Sequence, residues 1–474
     1  MIQKIIILIL ISLAMQSLKS QNYTPDWESI DSRPIPEWFT DAKFGIFIHW
    51  GIYSVPAYRT VSEKMYESYA EWYEASVMHD TVKGGQAFHH KTYGAGFEYR
   101  DFAPMFKAEL WDPDYWAELF KRSGAKYVVL TSKHHDGYCL FDAESPYSEN
   151  WNSVDVGPER DLLKDLGEAV RDKGLKMGIY YSLMEWESTP RNPEWADEID
   201  NYYLPDSIIE KYRIKDPDFI DRHIQPQLKQ LVMDYRPSVI FSDGEWDKPA
   251  TYWQSKEFLA WLYNNAPNRE EIVVNDRWGK DTRGKHGGYY TSEYSSDKEE
   301  MSADHPWEES RGIGESYGFN RAENIDDYNT SAELLHELIS IVSRGGNLLL
   351  NVGPTADGRI PVIMQQRLID IGEWLDTNGE AIYGTKAWDN APENSEYYFT
   401  RKGNDIFLIS ETWPGSEIFI EGSFNQPTET FLLGINKPLD VKKDNNGLKI
   451  TFPQEVINKR TCQHAYVFKI QGIL

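Results

Sequence analysis

The sequence predicts an α/β fold, a (β/α)8-like barrel followed by a small C-terminal antiparallel β-sandwich. Three observations carry this expectation. Short apolar runs alternate with amphipathic helical stretches from Phe44 to Asn378, the pattern of parallel strands joined by crossover helices. Polar and ionisable residues gather at the C-terminal ends of those runs, the face on which barrels carry their chemistry. After Trp388 the helical stretches stop, and short runs follow one another at turn-separated spacing. An open doubly wound sheet is the competing arrangement. No glycine-rich phosphate loop follows the first strand, however, and seven or eight units suit a closed barrel better.

Taken in order, Lys43 to Gly51 reads as a buried strand ending at His49-Trp50. Residues 57–107 form a long insertion with little rhythm outside Met65–Ser76; its aromatic content, including Glu71-Trp72-Tyr73, favours order. Asp112-Pro113 supplies an N-cap and a first-turn proline for a helix that Gly124 ends. Tyr127–Thr131 is the next strand, running into Ser132-Lys-His-His-Asp-Gly137. Asp161 caps a second helix, which stops at Gly174, and Leu175–Tyr181 follows as a strand. A helix over Pro217–Tyr235, capped by Asp216, leads to a strand that ends in Asp243. A helix over Gln254–Asn264 leads to Glu271–Asn275 and then to Asp276-Arg277-Trp278. Gly287–Thr291 runs into Ser292-Glu293-Tyr294, helix Ser331–Ser343 leads to strand Asn347–Asn351, and a last helix covers Ile363–Asn378. Six short runs between Tyr397 and Ile470 make the sandwich.

Met1 to Ser20 has an early Lys4, an apolar run from Ile5 to Met15, and small and polar residues up to Ser20, the plan of a secretory signal peptide. The run is too short for a comfortable membrane span. The expected organisation is therefore a signal peptide over 1–20, a catalytic barrel over 21–386 and the sandwich over 387–474, in an exported protein. The formal net charge of −26 argues against nucleic acid as a partner. Cys139 and Cys462 lie too far apart in the chain to form a disulfide scaffold.

The chemistry centres on Pro237 to Pro249. Val239–Phe241 is a buried run that stops at Ser242-Asp243-Gly244, which places a carboxylate at a strand end beside Trp246. The plain alternative is an Asp-Gly turn. Two carboxylates on different strand ends are the minimum equipment of a glycosidase. Asp243 and Glu293 fit as that pair, with Glu71, Glu245 and Asp276 as competitors that spacing along the chain does not rank. The non-catalytic account of Glu293 is a salt bridge to Arg277 or Lys133. His134 and His135 are adjacent, so in an extended chain they point to opposite sides, and no third metal ligand stands at telling spacing. Hydrogen bonds to sugar hydroxyls suit them better, and no metal or other cofactor is expected. His89-His90 reads as solvated. Aromatic residues make up 14% of the chain, with 17 Trp and 29 Tyr, which suits stacking on sugar faces; Trp50, Trp72, Tyr180 and Trp246 are candidates for such a wall.

Several ordered runs resemble the α-L-fucosidases of glycoside hydrolase family 29. They are Phe44-Gly-Ile-Phe-Ile-His-Trp-Gly51, Lys133-His-His-Asp-Gly137, Trp151-Asn-Ser-Val154 with Gly157-Pro-Glu-Arg-Asp161, Asn275-Asp-Arg-Trp-Gly279 and Asn347-Leu-Leu-Leu-Asn-Val-Gly-Pro354. The resemblance spans roughly residues 27 to 390 and implies a barrel, retention of configuration through a fucosyl-enzyme ester, and no metal. It puts the nucleophile on Asp243. It puts the acid/base on Glu293, through Thr291-Ser-Glu-Tyr294. Sugar contacts fall on His49, Glu71, Trp72, His134, His135, Tyr180 and Arg277. The sequence departs from some members at Phe241, where they carry Trp. Fucose bears a methyl where galactose bears a hydroxymethyl group, so part of the pocket should be apolar. Expected partners are fucosylated oligosaccharides or glycoconjugates, with no nucleic acid and no membrane span. Two other readings stay open: a retaining hydrolase for another sugar, and a non-catalytic carbohydrate-binding protein on the same scaffold.

Overall fold

The computed structural model describes residues 22–62, 67–81, 83–189, 204–215, 217–294, 301, 304–392, 395–443, 445–459 and 462–473. The signal peptide expected over 1–20, the capping role of Asp216 and part of the 57–107 insertion lie outside these residues.

Eight parallel strands form the barrel: β1 Phe44–Ile48, β2 Tyr127–Lys133, β3 Lys176–Ser182, β4 Val239–Asp243, β5 Val273–Val274, β6 Tyr290–Glu293, β7 Trp307–Gly312 and β8 Asn347–Val352. They are ordered β5-β4-β3-β2-β1-β8-β7-β6. The two edges meet in a single parallel bridge between Asn275 and Tyr289, with the Tyr289 amide donating to Val274 O at 3.1 Å. Side chains alternate across each strand. Phe44, Ile46, Ile48, Val128, Leu130, Ile179 and Ile240 face the surrounding helices. Phe47, Tyr127, Val129, Tyr180, Val239, Phe241 and Leu349 fill the interior. Continuing that period by one step puts His49 above Phe47 and Asp243 above Phe241, on the inward face of the C-terminal mouth. The interior is tight: a Cβ on Gly45 would lie 2.4 Å from the ring of Tyr127.

The helices Pro113–Arg122 and Leu162–Asp172 are capped by Asp112 and Asp161, which accept from the amides of Tyr115 and Lys164. Ser331–Ser343 is opened by a capping box between Thr330 and Glu333. The stretch expected as one α-helix over Pro217–Tyr235 widens to π-type hydrogen bonding at Phe219–Ile224 and Leu231–Tyr235, on either side of a turn containing Pro226, which has no amide to donate.

Three strand expectations need correction. Only Val273–Val274 of the 271–275 run is extended, β6 runs through Glu293 instead of stopping before it, and β7 was not foreseen. β7 reads Trp-Glu-Glu-Ser-Arg-Gly, which carries none of the apolar pattern of a buried strand. It is stable because its acids find partners: Glu308 is bonded by Tyr127 and Glu309 by Ser292. The β5–β6 crossover (residues 275–289) contains no helix. Here the N-terminal segment acts as a strap: Asp31 accepts from the Gly287 amide at 3.0 Å and from His286 at 2.8 Å, and Arg33 donates to the carbonyls of Arg269 and Ile272.

The C-terminal region is a sandwich of two antiparallel sheets. One has five strands, Lys386–Ala387 (β9), Tyr398–Lys402 (β10), Asp405–Ser410 (β11), Thr430–Leu432 (β13) and Tyr466–Ile470 (β16). The other has three, Glu417–Glu421 (β12), Asp440–Lys443 (β14) and Gly447–Thr451 (β15). Ile406 and Leu408 of β11 point into the sandwich core, while Phe407 and Ile409 join the apolar layer between the barrel strands and their helices, so one strand serves both.

Candidate active site

At the mouth of the barrel, strand ends bring the ionisable residues together. Asp243, the last residue of β4, is 8% exposed. Its Oδ1 accepts from Arg277 Nη1 at 2.9 Å and its Oδ2 from the Tyr180 hydroxyl at 2.8 Å. Burial pushes the carboxyl up, but the Arg277 charge and the hydrogen bonds from Tyr180 and Arg277 outweigh it and hold Asp243 below the ordinary carboxylate range. Arg277 stands just beyond β5 and also reaches Glu293 on β6, Nη2 to Oε2 at 3.2 Å. Glu293 Oε1 accepts from the Tyr69 hydroxyl at 2.9 Å. One buried guanidinium thus bridges two carboxylates carried by strands on opposite sides of the barrel seam. Glu293 forms the salt bridge foreseen with Arg277; Lys133 is committed elsewhere, to Glu185 at 2.5 Å.

Three buried histidines face this pair. His49 Nδ1 lies 2.7 Å from Asn351 Oδ1, and the Asn351 amide donates to Tyr317 O, so the His49 proton belongs on Nδ1 and its Nε2 is left as an acceptor. His135 Nδ1 lies 2.6 Å from Ser182 Oγ, which spends its own hydrogen on Met184 O; His135 therefore also carries its proton on Nδ1, with Nε2 turned to Asp243 at 3.7 Å. Burial lowers His49 to about 3 and His135 to about 4, and takes His134 well below its usual value. All three are neutral near pH 7, so each keeps one ring nitrogen able to accept a hydrogen bond. His134 Nδ1 is buried with no hydrogen-bond partner among the described residues.

Glu71 comes from the insertion and is 1% exposed. Its Oε2 accepts from the Gly318 amide at 2.8 Å and the Ser316 hydroxyl at 3.1 Å, while burial pushes it up to about 7. Trp72 packs edge-on to His135 at 5.6 Å and nearly parallel to Trp246 at 6.4 Å, and Trp246 also meets His135 at 5.4 Å. Asp243, Glu293, His49, Glu71, Trp72, His134, His135, Tyr180, Arg277 and Trp246 therefore lie together at the mouth of the barrel. Its floor is apolar: Phe47, Phe241 and Tyr317 surround His49 and Tyr180, and Phe241 lies under the Arg277 guanidinium at 5.0 Å.

Two sequence expectations fail. Trp50 is not part of the wall; it is 1% exposed among Phe106, Trp111 and Trp116, with its indole nitrogen on Thr355 O. His89 is buried and bonded to Tyr73 and Phe97 O, because the insertion folds into short helices around it; only His90 is exposed. Of the competing carboxylates, Asp276 is committed to the Thr291 hydroxyl and the Gly284 amide. Glu245 is 2% exposed, paired with Arg283 at 3.3 Å and pushed up by burial to about 7. Sequence reasoning missed Tyr69, Asn351, Ser182 and Trp186, the last of which packs on His134 at 6.0 Å and on His135 at 5.4 Å. Asn351 had a readable signal, a polar residue ending the apolar run of β8. Trp186 sits in an irregular segment where no periodicity points inward, and Tyr69 lies just ahead of the short helical turn Ala70–Trp72, which is too brief to mark an inward face.

A parallel barrel whose mouth sets two carboxylates on one guanidinium, among neutral imidazoles and indoles, has the equipment of a glycoside hydrolase. Comparison with known proteins narrows the class. Residues 10–380 match the family model for α-L-fucosidase, and residues 389–471 match that for the α-L-fucosidase C-terminal domain. Tissue α-L-fucosidase of Bos taurus is 41% identical over 456 residues, covering 95% of this chain and 92% of that one. The α-L-fucosidase of Dictyostelium discoideum is 39% identical, covering 99% and 100%. A crystal structure of Thermotoga maritima α-fucosidase in complex with a mechanism-based inhibitor has a TM-score of 0.80 at 40% identity, covering 94% of this chain and 99% of that one. The chain belongs to the α-L-fucosidase family of glycoside hydrolases, and α-L-fucosidase activity is its enzymatic function.

Proposed function

We propose that this enzyme is an exo-acting, retaining α-L-fucosidase that removes terminal α-L-fucosyl residues from glycans or glycoconjugates, with Asp243 as nucleophile and Glu293 as acid/base. The observation that carries the reading is the state of Asp243. It is a buried carboxylate kept ionised by Arg277 and Tyr180, at the floor of a cleft that Glu293 enters from the opposite side of the same guanidinium.

In the first step an Asp243 oxygen bonds to C1 while the glycosidic bond breaks and the leaving oxygen takes a proton from Glu293. In the second, Glu293 takes a proton from water, whose oxygen displaces Asp243 from C1 and releases fucose in its original configuration. Retaining chemistry calls for carboxyl groups about 5–5.5 Å apart. Neutral His49, His134 and His135 accept sugar hydroxyls, Trp72 and Trp246 form one side of the cleft, Glu71 and Arg277 add polar contacts, and the Phe47–Phe241–Tyr317 floor takes the fucose methyl. The leader-like segment at 1–20 supports export. Among the described residues no helix is long and apolar enough to cross a membrane.

Azide rescue tests the assignment. Asp243→Gly should be nearly inactive on an aryl α-L-fucoside and regain turnover with azide as the β-fucosyl azide. Glu293→Ala should give the α-azide, with its loss largest for poor leaving groups. An unimpaired Glu293→Ala would move the acid role to Glu71, which burial already pushes up to about 7.

A further inference from the structure

We infer that Thr291 is a positioning residue for this reaction: its hydroxyl, oriented by Asp276, fixes the rotation of the Arg277 guanidinium that joins Asp243 to Glu293. This rests on the roles proposed above for those two carboxylates.

Arg277 is 3% exposed and uses a different nitrogen for each partner. Nε donates to Thr291 Oγ1 at 3.0 Å, Nη1 to Asp243 Oδ1 at 2.9 Å and Nη2 to Glu293 Oε2 at 3.2 Å. Thr291 and Glu293 are two apart on β6 and so share a face. The Nε–H and one Nη–H of a guanidinium lie along one edge of a rigid plane. A single edge of Arg277 can therefore read both β6 residues while its far corner reaches across to β4. The spacing of Thr-x-Glu follows from the strand period, and the threonine is as much a part of that arrangement as the glutamate. Phe241 lies under the guanidinium at 5.0 Å, a contact that opposes tilting of the plane but does not set the heading of its N–H groups within the plane. The Thr291 bond does.

A threonine hydroxyl has one hydrogen, and its direction decides whether a lone pair or that hydrogen faces Nε–H. Thr291 donates to Asp276 Oδ1 at 2.7 Å, which leaves a lone pair for Arg277. Asp276 is held in turn by the Gly284 amide on its other oxygen at 2.8 Å, and is 1% exposed. Both its oxygens accept hydrogen bonds from the frame of the barrel. Asp276, a competitor for the acid role on sequence grounds, is thereby assigned as the brace of Thr291.

The test compares Thr291→Val with Thr291→Ser in the full mature enzyme, using aryl α-L-fucosides with good and poor leaving groups across pH. Valine keeps the shape and loses both hydrogen bonds, so kcat/KM should fall about 10–100-fold, equally for both leaving groups. The acid limb of the profile should move to higher pH, because a misaimed Arg277 no longer holds Asp243 low. Thr291→Ser should keep the wild-type limb and stay within about threefold of wild-type activity. Asp276→Asn should lose activity with no leaving-group dependence and no azide rescue. Equal impairment of Thr291→Ser and Thr291→Val, an unmoved acid limb in Thr291→Val, or azide rescue of Asp276→Asn would each overturn the inference. If Thr291→Val does not fold, Thr291→Ala against Thr291→Ser makes the same comparison. Failure of azide to rescue Asp243→Gly sinks the underlying reading; a rescued Asp243→Gly with a silent Thr291→Val sinks this inference alone.

Discussion

The hydroxyl of Tyr180 donates to Oδ2 of Asp243 at 2.8 Å, on the carboxylate oxygen that Arg277 does not hold through Oδ1. The two residues lie on adjacent strands, Asp243 at the end of β4 and Tyr180 two residues before the end of β3, and Phe241 stacked at 6.0 Å keeps the Tyr180 ring in place. Removing the hydroxyl therefore removes a hydrogen bond and little else. Tyr180→Phe should lose about 1.5–3 kcal/mol of interaction with the charged carboxylate. That corresponds to roughly 10–100-fold in kcat/KM, with the acid limb displaced upward because one of the causes holding Asp243 low is gone. An acid limb that moves down would contradict this account.

Arg277→Met should invert a pH dependence. In the native enzyme Asp243 titrates below its unfolded value, so it contributes stability above the unfolded pKa that is lost as pH falls through the folded one. Without the guanidinium, burial acts unopposed by that charge and lifts the carboxyl. The charged form then destabilises the fold near neutral pH, and the variant regains stability as pH drops through the raised pKa. Melting temperatures of variant and wild type at pH 7 and pH 5 should show the gap narrowing at the lower pH.

Lys133 and Glu185 form a buried pair at 2.5 Å, and His223 Nε2 joins the same carboxylate oxygen at 2.7 Å. Lys133 is fully buried, so truncating it strands a charge. Lys133→Met should cost about 3–5 kcal/mol in denaturant unfolding, and replacing both partners by apolar residues should cost less than the single change. A double variant that loses as much as the two single changes added together would show that the pair is not coupled.

Much of this was legible in the sequence, for reasons that differ by element. Asp112-Pro113 and Asp161 marked helix starts because a cap is a local interaction between residues three apart. The strand ends were readable because His49, Tyr180 and Asp243 interrupt apolar runs, and the alternation that buries Phe47 and Phe241 carries His49 and Asp243 to the same face. β7 was illegible because its stability comes from Tyr127 and Ser292, partners far away in the chain. The same holds for His89, which looks solvated until Tyr73 and Phe97 close around it, and for Trp50, whose place in the core depends on Trp111 and Trp116. Tyr69 reaches Glu293 from the start of the short helical turn Ala70–Trp72, where only three-dimensional packing assigns an inward direction.

Gly45→Ala tests the packing of the barrel interior. The new methyl would sit 2.4 Å from the Tyr127 ring, whose hydroxyl is bonded to buried Glu308. Overpacking of this kind should cost about 1–3 kcal/mol. Tyr127→Leu in the same chain should return part of that loss by making room, and the melting temperature of the double variant is the readout.

The seam of the barrel has a mechanical meaning. Between β1 and β2 four residue pairs are in register, whereas between β5 and β6 the ring closes through the single Asn275–Tyr289 bridge. A hoop with one weak joint yields at that joint when pushed from within. The residues flanking it on the mouth side are Arg277 and Glu293, so their 3.2 Å contact is a side-chain link that spans the joint. Asp31 and Arg33 clasp the joint from outside the hoop like a buckle, Asp31 on the β6 side through His286 and Gly287 and Arg33 on the β5 side through the carbonyls of Arg269 and Ile272. The turn at Trp27–Asp31 is thus wired, through the loop that carries His286 and Gly287, to the strand that holds Glu293.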